Sequence, residues 1–120
     1  MSVVVITGST RGIGRGLADA FAARGHSVVI SGRNAAEVKA VVAAVAGSAG
    51  APCDVADAGQ VQALWDYAIR RFGRVDMWIN NAGFAVTHKW TRDLSLADMY
   101  AMTSANLFGG IHGTRVALDG

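Results

Sequence analysis

Residues 3–6 read Val-Val-Val-Ile, and the next eight read Thr7-Gly8-Ser9-Thr10-Arg11-Gly12-Ile13-Gly14. This junction constrains the fold more than any other stretch of the chain. Four consecutive β-branched residues suit a strand buried on both faces, as in a parallel sheet. The glycines after it allow a turn tight enough to lead directly into a helix. The spacing predicts that helix over about Gly12 to Arg24, with Ile13, Leu17 and Phe21 on its inner face and Gly25 as its stop. A strand, a glycine turn and a helix in that order place a helix N-terminus at the carboxyl end of the strand. Its unpaired N–H groups and positive dipole end suit an anion.

The rest of the chain repeats the alternation. Val28-Val29-Ile30 reads as a second buried strand, ending at Ser31-Gly32. Asn34 followed by Glu37 gives a capping-box pattern for a second helix, with Val38, Val41, Val42 and Val45 facing inward and Gly47 as its end. Ala51-Pro52-Cys53 is a weak strand, and its proline predicts a sheet edge. Asp57 with Gln60 opens a third helix that reaches Phe72 and stops at Gly73; Val75 to Ile79 is a fourth strand. After a loop, Ser95-Leu96-Ala97-Asp98 caps a last helix running to about Leu118. Strands alternating with helices imply right-handed βαβ units and a parallel sheet covered on both faces. The expected fold is therefore doubly wound α/β, with residues 1–120 forming one unit.

Composition removes several classes. With 52% hydrophobic and 17% charged residues the chain is no disordered segment. Its net charge of +2 is scattered, so no nucleic-acid footprint is expected. The run Val3–Ile6 is too short for a signal-peptide core or a membrane span, and the default expectation is a cytoplasmic location. A single cysteine builds no disulfide framework, and His26, His88 and His112 lack metal-ligand spacing. Cys53 reads as a small buried residue at a strand end, with redox sensing as the alternative. Phe84, His88 and Trp90 either pack or border a site. Met99, Met102, Phe108 and Ile111 read as core or as a pairing face.

The glycine turn has the spacing G-x-x-x-G-x-G. It is neither G-x-G-x-x-G nor a P-loop, because no Gly-Lys-Ser/Thr comes after it. Its position still suits a dinucleotide pyrophosphate, with Gly8, Gly12 and Gly14 letting phosphate approach the backbone. The alternative is a closely packed structural turn. The end of the second strand bears on the cofactor. A carboxylate there would hold a ribose 2′-hydroxyl, whereas arginine suits a 2′-phosphate. Here the strand ends Ser31-Gly32-Arg33, and Arg11 adds a second guanidinium. This favours NADP(H). The alternative reads Arg33 as a solvated helix-start residue and Arg11 as a surface charge.

Thr7 to Gly14, Asp54-Val55, Asn80-Asn81-Ala82-Gly83 and Asn106 together resemble the short-chain dehydrogenase/reductase family, in order and spacing. The likeness covers the whole chain and the first half of the family's domain. It implies a Rossmann-like sheet with the incomplete strand order 3-2-1-4. It implies cofactor contacts from Gly8, Ser9, Thr10, Arg11, Gly12, Ile13 and Gly14. Asp54 would accept from the adenine amino group beside Val55. Asn81 would brace the sheet, and Ala82 and Gly83 would leave room for the adenosine. Asn106 would fix a water in the proton relay. Each polar residue also has a plainer role as turn or buried helix chemistry. The stretches Trp78–Gly83 and Asn106–Gly110, with Thr114-Arg115, are similar to the chlorophyll(ide) b reductase branch, which would imply reduction of a formyl group on a chlorin ring. The family's serine and Tyr-x-x-x-Lys pair are absent from these 120 residues. A small-molecule carbonyl substrate, a segment belonging to a longer protein, and pairing with the missing half or a second copy are therefore expected. An apolar fourth strand left open at one edge also predicts instability as an isolated monomer.

Overall fold

The computed structural model describes residues 1–120. The strands are β1 (Val3–Ile6), β2 (Ser27–Gly32), β3 (Ser48–Pro52) and β4 (Met77–Ile79). The α-helices are α1 (Gly12–Ala23), α2 (Ala35–Ala44), α3 (Ala58–Phe72), α4 (Leu96–Thr103) and α5 (Gly109–Asp119). The sheet is parallel, in the order β3-β2-β1-β4. Doubly wound topology and the expected strand order are therefore both present.

The β-branched runs are buried as their sequences require. Val4, Val5 and Ile6 in β1 and Val28, Val29 and Ile30 in β2 have no exposed surface. Burying each such side chain contributes roughly 1.5–3 kcal/mol. Alternation along the strands divides the core in two. Val3, Val5 and Val29 pack with Val61, Leu64 and Ala68 of α3 and Val116 of α5. Val4, Ile6, Val28 and Ile30 pack with Ala18 of α1 and Val38 and Val41 of α2. Helix ends obey the capping chemistry. The Asn34 side chain accepts from the Glu37 N–H, and that of Asp57 from the Gln60 N–H. Gly73 closes α3 at φ +78°.

Four expectations need correction. Strand β3 spans Ser48–Pro52 rather than 51–53. It lies on the edge, as Pro52 predicts, but its small residues are held by neighbours rather than by intrinsic preference. A Cβ on Gly50 would come within 2.9 Å of Val38 and Val42, so the glycine lets α2 close on the strand. Strand β4 is shorter than Val75–Ile79 because Asp76 uses its side chain to start the ladder. Its carboxylate accepts the Val3 N–H at 2.8 Å, and its own N–H donates to the Val3 carbonyl at 2.9 Å. Ile13 is 78% exposed and is not part of the inner face of α1. The last helix is interrupted by a π-helical turn, Ser104–Phe108, between α4 and α5. The extra residue of that turn rotates α5 relative to α4, and Met99, Phe108 and Ile111 are exposed rather than core.

Candidate functional site

The carboxyl ends of β1, β2 and β3 open into one cavity of about 460 Å³. This crevice lies where parallel α/β sheets bind ligands. Its floor is the glycine turn. Gly8 sits at φ +63° and Gly12 at φ +61°, a region in which a side chain is strained. A Cβ on Gly8 would come within 2.7 Å of the Ala82 Cα, whereas one on Gly12 would meet nothing. The two glycines thus differ in use: Gly8 allows backbone to pack on backbone, and Gly12 shapes the turn. A Cβ on Gly14 would collide with the Gly8 carbonyl oxygen and the Asn81 amide, so α1 can close on the turn only with glycine there. Arg11 precedes α1 and makes no side-chain cap. The first N–H groups of the helix are left without that partner, as an anion cradle requires.

Side chains lock the turn to the sheet. Ser9 is fully buried; its hydroxyl donates to the Ile6 carbonyl at 2.8 Å and accepts the Ser31 N–H at 3.0 Å. The Thr7 hydroxyl accepts the N–H groups of Asn81 and Ala82, each at 3.0 Å. The Asn81 amide then donates to the carbonyls of Thr7 and Gly8, at 3.1 and 3.0 Å. These four side-chain hydrogen bonds tie the β4 exit to the β1 exit. Neighbouring Asn80 joins β4 to α5 instead, accepting from the Trp78 indole at 2.8 Å and donating to Thr114 at 3.2 Å.

Of the residues singled out in the sequence, Gly8, Thr10, Arg11, Ile13, Arg33, Asp54, Val55, Asn81, Ala82 and Gly83 line the cavity. Ser9 and Gly14 are buried beneath the turn, and the exposed Gly12 and Asn106 stand outside the lining. Asn106 occupies the π-helical turn, where it accepts the Phe84 N–H and donates to the Phe84 carbonyl, both at 2.7 Å. It thereby holds the loop that continues from Gly83. Asp54 makes an Asx-type turn, accepting the Ala56 N–H at 3.0 Å. Val55 is held from α5, where His112 Nδ1 lies 2.8 Å from its carbonyl oxygen. Burial first, and then Asp54 and Asp57, push the Cys53 thiol up to about 11, so it is a protonated wall residue.

Three residues do more than their sequence context indicates. Thr7 reads as the end of a strand and the first residue of the family-like turn, not as the lock between β1 and β4. Phe84 reads first as packing, yet it lines the cavity with the Arg33 guanidinium 5.5 Å from its ring centroid. Glu37 reads only as a cap, yet it too lines the cavity. The only signal for Glu37 is helical spacing, which puts the first turn of α2 beside the end of β2.

The sequence model for short chain dehydrogenase matches residues 2–120. The chain belongs to the short-chain dehydrogenase family. It is 37% identical over 116 residues to an L-fucose dehydrogenase of Bos taurus, an alignment covering 97% of this chain and 43% of that protein. It is 32% identical over 137 residues to a probable chlorophyll(ide) b reductase of Arabidopsis thaliana, covering 97% of this chain and 28% of that protein. Among solved structures, a Thermococcus sibiricus alcohol dehydrogenase complexed with 5-hydroxy-NADP superposes with a TM-score of 0.91 at 29% identity, covering 99% of this chain and 52% of that one. A Brucella melitensis 3-ketoacyl-(acyl-carrier-protein) reductase complexed with NADH gives 0.93 at 28%, covering 98% and 49%. The chain thus spans about half, or less, of the length of these short-chain dehydrogenases. No helix is long and apolar enough to cross a membrane.

Proposed function

We propose that the cavity binds NADP(H) and is the cofactor site of a short-chain oxidoreductase that reduces a small-molecule carbonyl. The observation that carries this reading is the convergence on one crevice of the glycine turn, the start of α1 and two guanidiniums, Arg11 and Arg33. The residues fit such a group. Gly8 and Gly14 are tolerated only without side chains, and the first turn of α1 lacks a cap. Arg11 and Arg33 take the 2′-phosphate by charge-assisted hydrogen bonds. Asp54 and Val55 border the adenine, and Asn81, Ala82 and Gly83 leave room for the adenosine. Asn106 steadies the loop at Phe84 and orders a water for the proton path.

When bound, the cofactor supplies a hydride to the carbonyl carbon, and the oxygen takes a proton from an acid outside these 120 residues. The chain's own part is placement: it fixes the cofactor at the carboxyl end of the sheet and keeps the floor rigid. The likeness to the probable chlorophyll(ide) b reductase supports, as the finer reading, a formyl group on a chlorin ring as the substrate. A second reading is a cofactor-binding or subunit-pairing module without catalysis of its own. It rests on the apolar residues left exposed beside the β4 edge of the sheet. The open edge of β4 and the exposed Met99, Phe108 and Ile111 are the surfaces through which either form pairs with further fold or with a second copy.

Equilibrium titration with NADPH and NADH tests the cofactor. Wild type binds NADPH more tightly, and Arg33→Asp shifts the preference toward NADH. Tighter NADH binding by wild type, or an unchanged preference in Arg33→Asp, overturns the assignment.

A further inference from the structure

Glu37 stands at the third position of α2, where a capping box would turn its carboxylate back to the Asn34 N–H. Only half of that box forms. Asn34 accepts the Glu37 N–H at 3.1 Å, but the carboxylate lies instead against the glycine turn, 3.5 Å from the Thr10 hydroxyl. In α4 the equivalent box closes both ways through Ser95 and Asp98, whereas in α3, as in α2, only the half made by the cap side chain forms. The Thr10 methyl packs close to the end of β2, where a Cβ on Gly32 would come within 2.9 Å of it. The result is a carboxylate in the lining of the cavity that Arg11 and Arg33 also line. Asp54 is the other carboxylate of the lining, and one of its oxygens is already taken by the Ala56 N–H.

We infer that Glu37 is a specificity-determining residue: it opposes a phosphate on the adenosine ribose and lets the site accept a cofactor with a free 2′-hydroxyl as well. This rests on the reading of the cavity as a nicotinamide-cofactor site. The chemistry is direct. Arg11 and Arg33 bring two positive charges to the cavity lining, and the Glu37 carboxylate offsets one of them. A ribose hydroxyl can donate to the carboxylate, whereas a phosphate dianion can only be repelled by it. Discrimination is therefore compressed toward dual use rather than set by the arginines alone.

The test uses adenosine 2′,5′-bisphosphate and adenosine 5′-monophosphate, which differ only in the 2′-phosphate. Calorimetric dissociation constants are measured for wild type, Glu37→Gln and Glu37→Lys. Glu37 is exposed and its backbone N–H keeps the Asn34 cap in every variant, so the substitutions leave α2 intact. The preference for the bisphosphate is expected to rise about tenfold in Glu37→Gln, equivalent to about 1.4 kcal/mol, and further in Glu37→Lys. A helix-start role would instead shift both ligands equally. A preference that stays within twofold of wild type, or that shifts equally for both ligands, overturns the inference while leaving the cofactor reading in place. If wild type binds neither adenosine ligand and neither NADPH nor NADH, the cofactor reading falls, and this inference with it.

Discussion

Replacing Asn81 tests whether the floor of the cavity is held as described. Its amide nitrogen donates to two carbonyls, of Thr7 and Gly8, at 3.1 and 3.0 Å. Neither carbonyl receives a backbone N–H. Asn81→Ala therefore removes two hydrogen bonds and leaves two acceptors reliant on whatever water can enter. At about 1 kcal/mol net per bond, the expected loss is about 2 kcal/mol. For a domain of this size that lowers Tm by roughly 8 °C. Asn81→Asp is the sharper perturbation. It keeps the size of the side chain but faces a carboxylate toward two carbonyl oxygens, replacing attraction with repulsion. Asn81→Asp is expected to be less stable than Asn81→Ala in urea unfolding monitored by circular dichroism. An Asn81→Asp protein as stable as wild type would refute the donor assignment and the two amide bonds of the tie between β1 and β4.

Two further perturbations arise from the same geometry. Gly8→Ala combines a left-handed backbone with a close approach to the Ala82 Cα, and should cost at least about 2 kcal/mol; urea unfolding within about 0.5 kcal/mol of wild type would contradict the packing of that turn. The Cys53 thiol, pushed up to about 11 chiefly by burial, stays protonated at neutral and mildly alkaline pH. An aromatic disulfide reagent at pH 8 should label the unfolded chain quickly and the folded chain only as fast as it opens; rapid labelling of the folded chain would contradict the burial of Cys53.

Most of the architecture is legible in the sequence because local and global signals agree in β1, β2 and α3. Val3–Ile6 and Val28–Ile30 are apolar on both faces, and only a doubly covered strand can use that. The failures have separate physical causes. Strand β3 is Ser-Ala-Gly-Ala-Pro, with no intrinsic strand preference, so packing against β2 and α2 sets its limits. The π-helical turn at Asn106 adds one residue to a helix without altering its composition, and apolar spacing does not register a single-residue slip. At the site, backbone-shaping glycines are readable because their need for space is strict. Glu37 is not, because a carboxylate three residues after a cap has an ordinary use within its own helix. Its alternative partner, Thr10, is distant in sequence and close only after β1 and β2 pair.

In the proposed site the glycine turn and the start of α1 hold the pyrophosphate of a nicotinamide cofactor. Amide hydrogen exchange of the protein with and without saturating NADPH tests it residue by residue. Slowed exchange is predicted at Arg11 to Gly14 and at Ala82 to Phe84, with little change on the outer surface of α3. Protection confined to other surfaces, or no protection at Arg11 to Gly14 while NADPH is bound, would contradict it.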